Sequence, residues 1–162
     1  ADRNHVARHP TLATASKDGL PSARTVVLRD ADQKACTVEF HTDIHSDKVH
    51  DLRANPSAEL HIWDPSARLQ IRLGLTVDIL TGRSVAEKWA SVPDPSRQAY
   101  GTHPTPGSPI SGPLAYEKPA LQASFAVLQC KVDSIDALYL GDQHRRAEFL
   151  QICEWDGSWV AP

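Results

Sequence analysis

Three residues in the first third of the chain have the types and positions to hold an anion: Arg24, Ser46 and Lys48. Arg24 opens a run of β-branched residues, while Ser46 and Lys48 stand where a helix should start. A helix N-terminus offers free N–H groups and the positive end of its dipole. A phosphate held by that helix start, the Lys48 ammonium and a strand arginine is therefore chemically complete. A capping serine beside a solvated lysine is the commoner meaning of the same residues, and periodicity alone favours it. Gln70 is a fourth such residue. It lies between Leu69 and Ile71 in an alternating run but faces the other way. Its neutral amide can both donate and accept at the edge of a polar heterocycle. An exposed strand position is again the commoner meaning.

Other chemistries find less support. His41, His45, His50 and His61 fall close together, but none pairs with another at i, i+4 inside one helix beside a carboxylate, so no metal site is expected. There is no G-x-S-x-G elbow, no G-x-G-x-x-G and no G-x-x-x-x-G-K-[ST] loop. No residue presents itself as a general base, and the catalytic group stays unassigned.

The 162 residues are 41% hydrophobic and 23% charged, which suits one globular domain over 1–162 with a real core. A net charge of −3 argues against a nucleic-acid partner, which calls for a basic face, but leaves room for one local basic pocket. Cys36, Cys130 and Cys153 are too widely spaced for a zinc site or disulfide framework and read as reduced thiols of a cytoplasmic protein. No apolar run is long enough to span a bilayer, and the opening ADRNHVARHP has no signal-peptide core, so no membrane association is expected.

The candidate residues must be positioned mostly by strands. Residues 11–16 (TLATAS) and 22–29 (SARTVVLR) flank the Asp-Gly turn KDGLP and suggest a hairpin, with residues 30–34 breaking the second strand. TVEFHT, residues 37–42, alternates with period two as a half-buried strand does. A helix follows, capped by Ser46, with Val49 and Leu52 on one face and Asn55-Pro56 at its end. Strands are expected at 58–63 and 68–80. The second alternates without a break from Leu69 to Ile79, which suits a strand curling round a closed or partly closed barrel. A short helix at 84–91 precedes residues 93–119, which hold seven prolines and three glycines. Such a segment is either a floppy surface loop or an ordered lid or dimer contact. Strands at 125–133, 148–155 and 158–160 close the chain, the last two joined by Asp156-Gly157. The fold class is mainly β with helical additions, a Greek-key-like barrel.

The order of these pieces resembles the flavin-binding core of the pyridoxamine 5′-phosphate oxidases. The family pattern is an Arg-x-Val-Leu-Leu-Lys strand, a Tyr-Thr strand end, Ser-Arg-Lys at a helix start, Asn-Pro, and Gln in the next long strand. Here LATASKDGLPSARTVVLR, FHTDIHSDKVHDLRANPSAELHIW and RLQIRLGLTV meet it, without a gap from His41 to Gln70. LYLGDQHRRAEF resembles the family's later Trp-x-x-x-x-His-Arg segment, and the closing Trp159-Val160-Ala161-Pro162 its Ala-Pro ending. The likeness covers most of the chain apart from the proline-rich stretch.

The resemblance implies an FMN-binding split β-barrel. Arg24, Thr25, Val26, Val27 and Leu28 would lie along the flavin, with Arg24 and Lys48 on the FMN phosphate and Ser46 beside them. His41 and Thr42 replace the Tyr-Thr pair near the cofactor. Gln70 addresses the isoalloxazine, and Tyr139 takes the place of a tryptophan that packs near it. FMN in this family lies between two subunits, which implies a homodimer. Substrate contacts would come from Arg29, Ser96, His144 and Arg145.

The departures from the pattern bear on the substrate. Asp47 stands where the family has arginine, and Lys88 and Val92 stand where it has a tyrosine and an arginine for the substrate phosphate. Ala147 replaces a histidine. A doubly charged phosphate relies on charge-assisted bonds, so these losses argue against a vitamin B6 phosphate as substrate. The leading expectation is an FMN-dependent oxidoreductase acting on another small molecule. Two further readings stay open. One is a non-catalytic flavin- or haem-binding module, with His41 and His144 as the haem positions. The other is an authentic pyridoxine/pyridoxamine 5′-phosphate oxidase.

Overall fold

The computed structural model describes residues 5–162. Strands β1 (Thr11–Ala15) and β2 (Pro21–Thr25) form the expected hairpin, with Thr11 opposite Thr25. Gly19, at φ 80°, supplies the left-handed residue the turn requires. The second strand does not run on to Arg29 as the sequence suggests. It stops at Thr25, and Val26 donates its N–H to the Pro10 carbonyl at 2.9 Å. A separate strand, β3 (Leu28–Asp32), then pairs with β4 (Thr37–Asp43), so residues 30–32 continue a strand where a break was expected. β2 and β3 lie at opposite ends of the strand order, and the chain leaves one ladder to reach the other. That demand comes from tertiary pairing, which β propensity does not encode.

Helix α1 (Asp47–Ala54) follows and buries Val49 and Leu52, the face its spacing predicts. Next come β5 (Ser57–Asp64) and β6 (Leu69–Thr81), then a 3₁₀ turn at Gly82–Val85 leading into α2 (Ala86–Ser91) and the single turn α3 (Asp94–Arg97). β7 (Phe125–Tyr139) continues well past Asp133. Its extension gives β8 (Arg145–Leu150) a partner, so that strand starts at Arg145 and not at Glu148. Residues 151–156, expected in part as strand, turn the chain instead, with Glu154 and Trp155 both left-handed at φ 52° and 66°. β9 (Gly157–Val160) pairs back on β8.

The sheet runs β2-β1-β5-β6-β7-β4-β3, with β8 on the far half of β7 and β9 beyond it. The two ends do not join, so the barrel is open: a split barrel, mainly β. β6 and β7 form its central ladder, from Leu69 opposite Tyr139 to Thr81 opposite Ala126, with an irregularity at Gly74/Leu75 that bends it. Leu12, Phe40, Leu60, Val77 and Leu128 fill the inside together with Val49 and Leu52 of α1. A second cluster, Val85, Val92, Tyr100, Phe125 and Val127, includes the first two odd-numbered residues of β7 and packs them against Trp89 of α2. The first residues of β7, from Phe125 to Leu128, are therefore buried on both faces.

The proline-rich segment is the ordered kind. His103 and Glu117 exchange backbone hydrogen bonds at 2.9 and 2.7 Å, and the Leu121 N–H reaches the Tyr100 carbonyl at 3.0 Å. Leu60 has 1% of its surface exposed and lies at the middle of the larger cluster. Leu60→Ala is expected to lower unfolding free energy by about 2–5 kcal/mol, read from chemical denaturation.

Candidate functional site

The crossing from β2 to β3 builds the site. Thr25 ends the ladder, and Val26 and Val27, freed from it, run past the end of β4 and the start of α1. Together with Tyr100 and Pro106 of the proline-rich segment they enclose a cavity of about 350 Å³. Arg24, Thr25, Val26, Val27, His41, Thr42, Ser46 and Lys48, all expected near a cofactor, line it, and so does Arg29.

At one end sit two cations. Arg24 donates to Thr14 Oγ1 at 2.7 Å and to Ser22 Oγ at 2.7 Å, with Asp51 Oδ2 3.7 Å away. Lys48 Nζ donates to Thr42 Oγ1 at 3.0 Å. Burial pushes the Lys48 ammonium below its ordinary pKa, and the Arg24 guanidinium adds to this, while Asp47 and Asp43 pull the other way. Half-buried cations that repel one another are relieved by an anion. Ser46 holds the N-cap position, but its hydroxyl does not cap the helix. It donates to the Asp43 carbonyl at 2.8 Å and lies 3.1 Å from Thr42 Oγ1. The expected serine cap is thus corrected, and the first-turn N–H groups of α1 have no side-chain cap.

Asp43 was not singled out in the sequence, yet it ties the site together. It is buried, and Oδ1 accepts the His45 N–H at 2.8 Å while Oδ2 accepts the Gly101 N–H at 2.7 Å. The first bond is an Asx turn, the one signal in the sequence that could have flagged it. The second fastens the proline-rich segment over the cavity. Gly101 has φ 98°, and a Cβ there would press into Leu121 at 2.8 Å, so only glycine fits.

His41 forms another part of the wall. Its Nε2 lies 3.0 Å from Glu39 Oε1, and Lys88 Nζ donates to Glu39 Oε2 at 2.8 Å. Burial lowers the His41 pKa below the ordinary histidine value; Glu39 opposes this, and Arg29 and Lys88 reinforce it. Burial alone would raise the Glu39 carboxyl, but the Lys88 and His41 hydrogen bonds outweigh it and hold it below its ordinary value.

The remaining expected residues lie elsewhere in the chain. Leu28 packs against the core. Gln70 Oε1 lies 3.2 Å from His61 Nε2, and Arg145 stacks its guanidinium over Tyr139 at 5.2 Å. Gln70 pairs with Leu138 and Thr42 with Ala126, twelve positions apart on β7. At about 3.3 Å per residue this is about 40 Å of strand. His144 is exposed on the turn before β8, far along β7 from buried His41. Ser96 sits on α3, outside the cavity lining.

Residues 1–81 match the family model described as pyridoxamine 5′-phosphate oxidase, FMN-binding domain. A pyridoxine/pyridoxamine 5′-phosphate oxidase from Anaeromyxobacter dehalogenans is 32% identical over 158 residues, covering 98% of this chain and 70% of that protein. One from Salinibacter ruber is 33% identical over 153 residues, covering 94% of this chain and 62% of that protein. The chain thus spans about three-fifths of the length of the first curated relatives it matches. The crystal structure of a pyridoxamine 5′-phosphate oxidase-related, FMN-binding protein from Nostoc punctiforme superposes with a TM-score of 0.82 at 25% identity, covering 98% and 90% of the two chains. PhzG from Burkholderia lata superposes with a TM-score of 0.77 at 16% identity, covering 98% and 84%, a likeness of fold alone. The chain is a flavin-binding split barrel. It belongs to the pyridoxamine 5′-phosphate oxidase FMN-binding family, and FMN is its cofactor.

The lowered His41 pKa makes a stability statement. Between the folded value and about 6.5, the unfolded chain binds a proton that the folded chain refuses, so stability is complete above that range and lost as pH falls through it. Melting temperature is expected to drop more steeply from pH 7 to pH 5.5 in the wild type than in His41→Phe. The Glu39 contribution fades in a separate, more acid window, below its ordinary 4.5.

Proposed function

We propose that this chain is an FMN-dependent oxidoreductase that works as a homodimer, with FMN at the subunit interface and a small molecule other than a vitamin B6 phosphate as substrate. The observation that carries the reading is the cation pair, Arg24 and Lys48, beside the uncapped start of α1 in a cavity of about 350 Å³. This donor set suits the phosphate of FMN, with Thr25, Val26 and Val27 along the flavin and Ser46 and Thr42 at its phosphate end. FMN, when bound, supplies two-electron redox chemistry; the residues of the chain bind it, orient it and exclude water.

The dimer is supported by what one chain lacks. Gln70 and Tyr139, the residues the family resemblance assigns to the isoalloxazine, lie too far along β7 from Thr42 for one FMN to touch both ends. A second copy, turned to present its Gln70 end, supplies them. Exposed apolar side chains at that end, Trp63, Leu140 and Trp159, give such a contact its buried surface.

The substrate end argues against a phosphate. Lys88 is paired with Glu39, and Val92 is buried in the second cluster. Arg29 is the cation left on that side of the cavity, with Ser96, His144 and Arg145 proposed as further contacts from outside its wall. A doubly charged group needs more than one such partner.

The visible spectrum of the purified protein, with chromatography of the released cofactor, tests the flavin. Arg24→Ala and Lys48→Ala are each expected to weaken FMN binding about tenfold or more, the loss of one charge-assisted hydrogen bond. Asp47→Arg is expected to tighten it. Light scattering after gel filtration tests the dimer: a monomer that binds FMN with full affinity contradicts the shared site. Formation of pyridoxal 5′-phosphate at rates matching the named relatives would establish the authentic oxidase instead.

A further inference from the structure

A second cavity, of about 420 Å³, opens between the 3₁₀ turn Val6–Arg8 and the first half of β3. Arg29 lines both this cavity and the one that holds Arg24 and Lys48. The backbone explains how. In the β3–β4 ladder Leu28 pairs with Phe40 and Asp30 with Glu39, so Arg29 is the extra residue of a bulge and has no partner across the ladder. A bulge re-aims the side chain it carries. On the flavin side the Arg29 guanidinium stands near the buried Tyr100 hydroxyl, whose pKa burial raises and Arg29 holds down.

The second cation comes from the turn. The Arg8 N–H donates to the His5 carbonyl at 2.9 Å, and His5 Nδ1 accepts the Ala7 N–H at 3.1 Å, which closes the turn and sets Arg8 into the cavity lining. Arg8 lies outside every motif that carries the family likeness. Among the described residues the arginines in ion pairs are Arg24, Arg68, Arg72, Arg97 and Arg146; Arg8 and Arg29 are not among them. Asp30 lines the same cavity and accepts the Ala31 N–H at 3.0 Å. Two arginines against one aspartate leave the lining with a single positive charge, and Ala7, Leu28 and Ala31 supply an apolar remainder.

We propose that this second cavity receives the substrate, and that the substrate is a small molecule with one carboxylate on an apolar body, held by Arg8 and Arg29. A carboxylate matches the single charge of the lining and accepts charge-assisted hydrogen bonds from both guanidinium groups. A phosphate dianion would bring a surplus negative charge beside Asp30. The volume is that of a small-molecule site, mostly apolar with a few placed polar groups. The inference rests on the FMN-dependent oxidoreductase reading above and deepens it: the flavin is gripped at Arg24 and Lys48, and the bulged Arg29 stands between it and the substrate.

The test titrates the FMN-loaded full chain with benzoate, benzamide and phenyl phosphate by calorimetry, with the visible spectrum followed in parallel. Benzoate is expected to bind once per chain and to shift the flavin absorption band without releasing FMN. Benzamide, of the same shape without the charge, is expected to bind at least tenfold more weakly, and phenyl phosphate no more tightly than benzoate. Arg8→Ala is expected to weaken benzoate about tenfold or more. Asp30→Asn, which removes the opposing charge and keeps an acceptor for the Ala31 N–H, is expected to make phenyl phosphate the tighter ligand. Retention of flavin reports that each variant is folded. Equal binding of benzoate and benzamide, equal benzoate binding by wild type and Arg8→Ala, or no benzoate binding up to millimolar concentration overturns the carboxylate assignment and leaves the FMN site standing. Benzoate that binds without moving the flavin band overturns the placement of the substrate there. A chain that takes up no FMN overturns the reading on which both rest.

Discussion

The site depends on one buried carboxylate. Asp43 ends β4, and its two oxygens accept N–H groups from the turn that starts α1 and from the proline-rich segment. Its backbone carbonyl accepts both the N–H and the hydroxyl of Ser46. Without that carboxylate, the helix start, the strand end and the covering segment would have no common anchor. Because the Ser46 hydroxyl is turned to Asp43, no side chain caps the start of α1, whose Ser46 and Lys48 line the cavity.

A second constraint is topological. β7 is shared by everything: β6 along one edge, β4 along the first half of the other and β8 along the second half. The cation end of the cavity belongs to the first half and Gln70 and Tyr139 to the second. A rigid strand cannot fold those halves onto one another, so within one chain Gln70 and Tyr139 stay away from the cation end. The homodimer proposed above answers that separation by bringing the Gln70 end of a second copy to it.

Much of this was legible in the sequence because it is local. The Asp-Gly hairpin, the alternation in β4 and β6 and the Val49/Leu52 face of α1 all follow from short-range patterns. The cavity lining was legible for a different reason: Arg24–Val27, His41, Thr42, Ser46 and Lys48 carry a family's order and spacing. What escaped is non-local. The break after Thr25 is set by pairing partners far apart in the chain. The extension of β7 to Tyr139 and the early start of β8 depend on each other, and neither segment announces it alone. Gly101 and Asp43 meet across a long loop, and the Glu39–Lys88 pair joins β4 to α2; no spacing rule connects them. The serine cap failed because the Ser46 hydroxyl is turned back to donate to the Asp43 carbonyl, and its oxygen accepts no N–H of the first turn.

The double burial at the start of β7 has a consequence for how this protein can diverge. Phe125 to Leu128 face two packed clusters at once, so a change that suits one side disturbs the other. Substitutions are easier to accommodate in the parts that touch solvent: the proline-rich segment over the cavity and the hairpin of β8 and β9. Those parts adjoin the cavity rim and the Gln70 end. A fold built this way can take new loops at its rim while the doubly packed strand behind the cavity keeps its side chains.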